Sequence, residues 1–222
     1  MRVLDLTRVL AGPTAARTLA EHGAHVLRIA SAVHRDVGPM PRDTGHGKRS
    51  TMLDLRVASD IAALRRLVEG ADVFSQGYRP GAIARLGFSP EELATIRPGI
   101  ISLSISAYGE TGPWRGMRGF DSVVEAGDGT ADEEGGADGG EPRLIPASPL
   151  DYTTGYLAAF LVQVALERRA REGGSYHIEL SLAQTGRYLN DLPRVDAAAA
   201  AGRAPELPKA RLVTLRTAGC AI

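Results

Sequence analysis

Only one cysteine, Cys220, occurs in the 222 residues. No intrachain disulfide can form, which excludes a secreted scaffold held by disulfides. Cys220 stands in Gly219-Cys220-Ala221-Ile222 and misses the fourth-from-last place that prenylation needs. No apolar run approaches the roughly 18 residues of a membrane span. No basic-then-apolar leader opens the chain, so a cytoplasmic protein without membrane attachment is expected. Net charge is lacking as well: 26 Lys and Arg balance 26 Asp and Glu, which argues against a protein built to grip nucleic acid. There is no internal repeat. Apolar residues make up 44% and charged residues 23%, the balance of an ordinary globular chain with one large domain or a domain plus a small appendage.

Short β-rich runs alternate with helical runs, the sign of a parallel sheet covered by helices. Residues 2–7, 25–29, 72–76, 100–105 and 176–180 read as strands. Gly12-Pro13 begins a helix with proline at its first position, and Gly23 lies just past its end. Ser59 is expected to cap a helix that stops at Gly70. Ser89-Pro90-Glu91-Glu92 spells a capping box with Pro at the first helical position. The longest helix is expected from Tyr152 to about Arg171, ended by Gly173-Gly174, and a last helix over 183–192. Two stretches interrupt this rhythm. Residues 30–49 read as a long Pro-, Gly- and base-rich loop, and 128–141 as a mobile acidic, Gly-rich loop. After residue 192 the chain is an Ala-, Pro- and Arg-rich tail in which only 212–215 resembles a strand start.

The strand–Gly turn–helix–strand opening suggests a dinucleotide site, but the fingerprint fails in detail. Thr14 and Arg17 stand where the second and third glycines belong, and Ile29-Ala30-Ser31 offers no acid for a ribose. A Rossmann-like α/β fold without NAD is the expectation, and no metal-ligand pattern is present. Cations gather instead. Arg35, Arg42, Lys48 and Arg49 outnumber Asp36 and Asp43, and Tyr78-Arg79-Pro80-Gly81 places an arginine just after the third strand, with Arg85 on the short helix that Pro80 begins. Ligands of open α/β sheets bind at that edge, and guanidinium groups suit a polyanion such as coenzyme A. On spacing alone the same residues also read as solvated loop charges.

Arg143-Leu-Ile-Pro-Ala-Ser-Pro-Leu-Asp151 brings an aspartate to the start of the long helix. On residue type and context Asp151 reads first as a helix cap; the same place also permits a carboxylate favoured by the helix N-terminus, short of water, and able to attack an activated carbonyl.

Several runs in one order resemble the family III CoA transferases, the CaiB/BaiF group. They are Val3-Leu-Asp-Leu-Thr-Arg-Val-Leu-Ala-Gly-Pro13, Gly23-Ala-His-Val-Leu-Arg-Ile29, Gly47-Lys-Arg-Ser50 with Leu53-Asp-Leu55, Tyr78-Arg-Pro-Gly81 with Arg85-Leu-Gly87, Ser104-Ile-Ser106 with Gly109-Glu-Thr-Gly-Pro113, Gly119-Phe-Asp121 and Leu180-Ser-Leu182. The likeness covers about residues 2–190. It implies an enzyme moving CoA between an acyl-CoA and a free carboxylic acid through covalent intermediates on the aspartate before the long helix, which Asp151 matches. It places Lys48, Arg49, Tyr78, Arg79 and Arg85 in segments lining the CoA site, Arg79 and Arg85 above all. Gln76 and Gly77 stand where the family often has Glu and Asn. Relatives that racemise 2-methylacyl-CoA carry a histidine where this chain has Phe120, so the transferase reading leads over an epimerase; His177, alternating with apolar residues, reads as structural. Typical members are nearly twice as long, with a second small domain, and form interlocked homodimers. The chain is therefore expected to be a large-domain portion, working as a homodimer or with a complementary chain, or serving as a CoA-binding part without activity of its own.

Overall fold

A computed structural model describes residues 1–31, 33, 40–136 and 140–195. Its elements are β1 (Arg2–Leu6), α1 (Ala11–Glu21), β2 (His25–Ser31), α2 (Met40–Thr44), β3 (Lys48–Leu53), α3 (Ala58–Glu69), β4 (Val73–Gln76), α4 (Pro90–Ile96), β5 (Ile101–Ser106), α5 (Asp121–Asp128), α6 (Thr130–Gly135), α7 (Pro149–Glu172), β6 (Tyr176–Ser181) and α8 (Leu182–Asn190), with a 3-10 turn at Ala84–Leu86. The six strands form one sheet in the order β3-β2-β1-β4-β5-β6, and every pairing is parallel. The chain winds outward from β1 in one direction and from β4 in the other. The carboxyl ends of these two central strands therefore flank the crevice where such sheets take ligands.

Successive side chains of a strand point to opposite faces, and here both faces are apolar. Val3, Val26, Val73, Ile101 and Leu103 pack against Ala15, Ala16 and Leu19 of α1 and Ala158, Ala159 and Val162 of α7. Leu4, Leu6, Ile29 and Phe74 pack against Leu64 and Val68 of α3 and Leu93 of α4. Helices thus cover both faces, as the alternating pattern predicts. Helix α7 lies very close to α1, because a Cβ on Gly155 would stand 2.6 Å from the Ala11 carbonyl oxygen. That approach carries the start of α7 to the start of α1.

The differences from expectation have local causes. The stretch 30–49 contains α2 and the beginning of β3; β3 is an edge strand whose polar sequence conceals it, and Lys48 is its inward residue. Helix α3 is preceded by extended Val57 with no side-chain cap, and Ser59 already lies inside it. The stretch 128–141 holds α6, whose backbone N–H groups close on the Gly129 turn. The helix after Pro80 is only the 3-10 turn with Arg85 at its centre. By contrast Ser89 and Glu92 form the expected reciprocal capping box. Arg35, Asp36, residues 212–215 and Cys220 lie outside the described residues.

Candidate active site

Pro149 opens α7 and sets Asp151 in its first turn, while Ser148 holds the cap position without a side-chain bond. Asp151 is therefore not the cap of its own helix. Its residue is 6% exposed, and its carboxylate accepts the N–H of Ala11, the first residue of α1. Two helix N-termini converge on one carboxylate, and each favours negative charge there. Burial and the nearby Asp121 carboxylate act the other way and together push the Asp151 carboxyl from 3.8 up to about 7. A carboxylate so poorly hydrated is a better nucleophile than one in water.

Helix α5 supplies two more buried acids one turn apart. Asp121 Oδ2 accepts the Asp151 N–H at 2.8 Å. Glu125 Oε2 accepts the Ile145 N–H at 3.0 Å, and its carboxyl is in hydrogen-bonding contact with that of Asp121. Desolvation and this contact raise the Glu125 carboxyl above its usual range. The two side chains grip the backbone on either side of residues 146–150. Sequence reading missed Glu125. Its only signal is Asp121-Ser-Val-Val-Glu125, acids at i and i+4 around an apolar Val124.

The turn from β1 to α1 passes beneath this group. Asp5 Oδ1 accepts the Thr7 N–H at 3.0 Å and the Thr7 hydroxyl. Val9 adopts φ 69, a conformation that costs a β-branched residue of the order of 1–3 kcal/mol. Lys48 donates to Asp5 Oδ2 and to the Pro13 carbonyl, each at 2.8 Å. Its side chain is 1% exposed. Its ammonium is thus engaged inside the fold by Asp5 and the Pro13 carbonyl.

On the α3 side of the sheet a cavity of about 320 Å³ opens at the strand ends, lined by Leu6, Ile29, Leu53, Tyr78, Ile83 and Arg85 among others. Arg56 at its wall makes a forked ion pair with Asp54. Tyr78 and Arg85 are thus brought together. Arg79 is exposed beside them and Arg49 is exposed on β3, but neither lines the cavity. Burial pushes the Tyr78 phenol up, partly offset by Arg8. On the opposite side, next to Asp151 in sequence, an open trough of about 540 Å³ runs between Leu10, Met40, Asp43, Pro146, Ser148 and Tyr152. Leu6 belongs to the cavity, Leu10 to the trough, and Ala11 bonds Asp151, so one short turn borders all three. His177 Nδ1 lies 2.8 Å from Ser102 Oγ on the next strand, as a structural residue would. Among the described residues, no group of three potential metal ligands is found and no helix is long and apolar enough to cross a membrane.

The model of CoA-transferase family III matches residues 1–217. The acetyl-coenzyme A transferase nodX of Hypoxylon pulicicidum is 38% identical over 194 residues, covering 85% of this chain and 33% of its own. The acetyl-CoA:oxalate CoA-transferase of Acetobacter aceti is 35% identical over 191 residues, covering 81% of this chain and 49% of its own. Among solved structures, a CaiB/BaiF family protein from Brucella suis superposes with a TM-score of 0.76 at 30% identity, over 86% of this chain and 57% of that one. The chain spans a third to about half the length of these curated relatives.

Proposed function

The chain belongs to CoA-transferase family III, and from that premise we propose that it moves CoA from an acyl-CoA thioester to a free carboxylic acid with Asp151 as covalent nucleophile. One observation carries the reading: a buried carboxylate, with no cation acting on it among the described residues, bonded by the first amide of one helix and seated in the first turn of another.

The Asp151 carboxylate attacks the thioester carbonyl, and CoA leaves as thiolate, giving an aspartyl–acyl anhydride. The thiolate then attacks the aspartyl carbonyl of that anhydride, releasing the donor acid and leaving an aspartyl-CoA thioester. The acceptor carboxylate attacks this thioester and frees the thiolate once more. Attack of the thiolate on the acceptor's carbonyl yields the new acyl-CoA and restores Asp151. No net proton is consumed, which suits a site offering amides and carboxyls. The Ala11 N–H and the two helix termini stabilise the charge that Asp151 carries at the start and end of the cycle.

Coenzyme A is read into the α3-side cavity, with its apolar-walled space beside Tyr78 for the adenine and Arg85 and Arg79 for phosphates. The pantetheine arm would cross the β1–α1 turn toward Asp151, and the acyl group would lie along the trough by Leu10, Met40 and Tyr152. A second copy or a complementary chain would complete the walls. Incubation with an acyl-CoA, then hydroxylamine or borohydride and peptide mass analysis, is expected to tag Asp151. Full transfer activity in an Asp151→Ala protein would overturn the mechanism.

A further inference from the structure

Two carboxyl groups can share a hydrogen bond only if one of them carries a proton. Glu125 and Asp121 are in such contact, and Glu125 is 1% exposed. The remaining bonds decide which partner keeps the charge. Asp121 Oδ2 receives the Asp151 amide in the first turn of α7, where a negative charge is favoured. Glu125 Oε2 receives only the Ile145 amide of the approach loop. The charged groups facing Glu125 are acids as well. Asp121 and Asp128 of its own helix act on it, and Asp151 of α7 stands beyond Asp121. Helix α8 turns Gly186 toward Asp128, and its Arg187 faces outward to Asp191. The 140–148 loop contributes the Ile145 amide.

We propose that Glu125 is a positioning residue that carries a proton in the working enzyme, donates it as a hydrogen bond to Asp121, and through Asp121 sets the charge state and placement of Asp151. With the proton in place, α5 presents one negative charge to the nucleophile and keeps hold of the Ile145 and Asp151 amides. When the proton leaves, the carboxyls of Asp121 and Glu125 repel. A third charge then enters the site and Asp151 becomes harder to ionise. The Glu125 and Asp151 protons are therefore coupled, and neither group titrates alone. The inference rests on the reading of Asp151 as nucleophile, but its test does not depend on CoA chemistry.

The experiment is a carbon-13 titration of the Asp151 carboxyl in the full chain, comparing the unaltered protein with Glu125→Gln. Glutamine is of the same size, and its amide donates the same bond to Asp121 at every pH. In the unaltered protein the Asp151 signal is expected to move in a broad, two-step curve. In Glu125→Gln it should follow a single step with its midpoint lower by about one unit, while the melting temperature stays close to the original. An unchanged Asp151 curve in a folded Glu125→Gln protein overturns the inference. If Glu125→Gln does not fold, Asp151→Asn supplies the second arm, in which the Glu125 signal, still coupled to Asp121, should titrate lower than in the unaltered protein; an unchanged Glu125 curve there overturns it equally. Acyl-CoA labelling of Asp151 separates the two levels. A shifted titration without labelling sustains the coupling and removes the transferase reading, whereas labelling with an unshifted titration removes the coupling alone.

Discussion

Two buried aspartates, at the start and in the middle of the chain, lie beside helix α1 and meet opposite fates. Asp5, with a fully buried side chain, has the Lys48 ammonium at 2.8 Å and both the amide and the hydroxyl of Thr7. Its charge is neutralised and its bonding capacity largely used, so it ties β1, β3 and the β1–α1 turn into one unit. Asp151 is also buried, but it has amide and dipole support and a second acid in place of a cation. A carboxylate matched by an ammonium is neutralised in place, whereas one held by helix termini against its neighbours keeps a raised affinity for its proton.

The largest effect that would sharpen this contrast is chemical. Asp151→Asn is expected to reduce covalent capture and transfer by about a thousandfold or more, read by mass analysis after hydroxylamine and by acyl-CoA exchange. Comparable capture in this variant would erase the distinction between the two aspartates. Next comes stability. Lys48→Met leaves Asp5 charged and buried without its cation and should cost about 3–5 kcal/mol in urea unfolding. Adding Asp5→Leu to Lys48→Met should recover most of it, since the pair as a whole is worth less than either half left alone.

The same measurement on Asp151 should run in the opposite direction. Its carboxyl titrates near 7 in the fold against 3.8 in the unfolded chain, so the native state binds the proton more tightly. Stability then falls as pH rises from about 4 to 7 and stays lowered above that. Asp151→Asn removes the penalty and should stabilise the protein by about 2–4 kcal/mol at pH 8, with the gain fading toward pH 4. A destabilised Asp151→Asn protein at pH 8 would mean that this carboxylate, too, is structural. The smallest effect concerns the cavity. Arg85→Ala should weaken CoA binding about tenfold, and less at high salt, by calorimetric titration; Lys48→Met should change CoA affinity only through its effect on folding.

Much of the fold was legible because it depends on local pattern. The run 100–105 reads as a buried strand and is β5, Ser89 to Glu92 reads as a capping box and is one, and Gly23 and Gly70 end helices where a chain needs them. The edge strand β3 was not legible, because Lys48-Arg-Ser-Thr-Met-Leu53 carries few apolar residues; it becomes a strand by pairing with the buried β2. The partner of Lys48 was hidden for the same reason. A lysine beside an arginine in a Gly-flanked segment suggests a phosphate grip, and the distant Asp5 that claims it is invisible without pairing β1 with β2 and β2 with β3.

Composition, periodicity and motif order alone were enough to set the α/β class and the resemblance to the transferase family, and that resemblance pointed to Asp151. Each of these depends on residue type and on neighbours along the chain. The tertiary structure alone decided which charges are satisfied and which are strained: Lys48 goes to Asp5, Glu125 to Asp121, and the amide of Ala11 to Asp151. Those partners lie far apart in sequence or depend on which helix face is buried. Coulomb energy and desolvation follow distance and exposure in space, and only the folded chain supplies those.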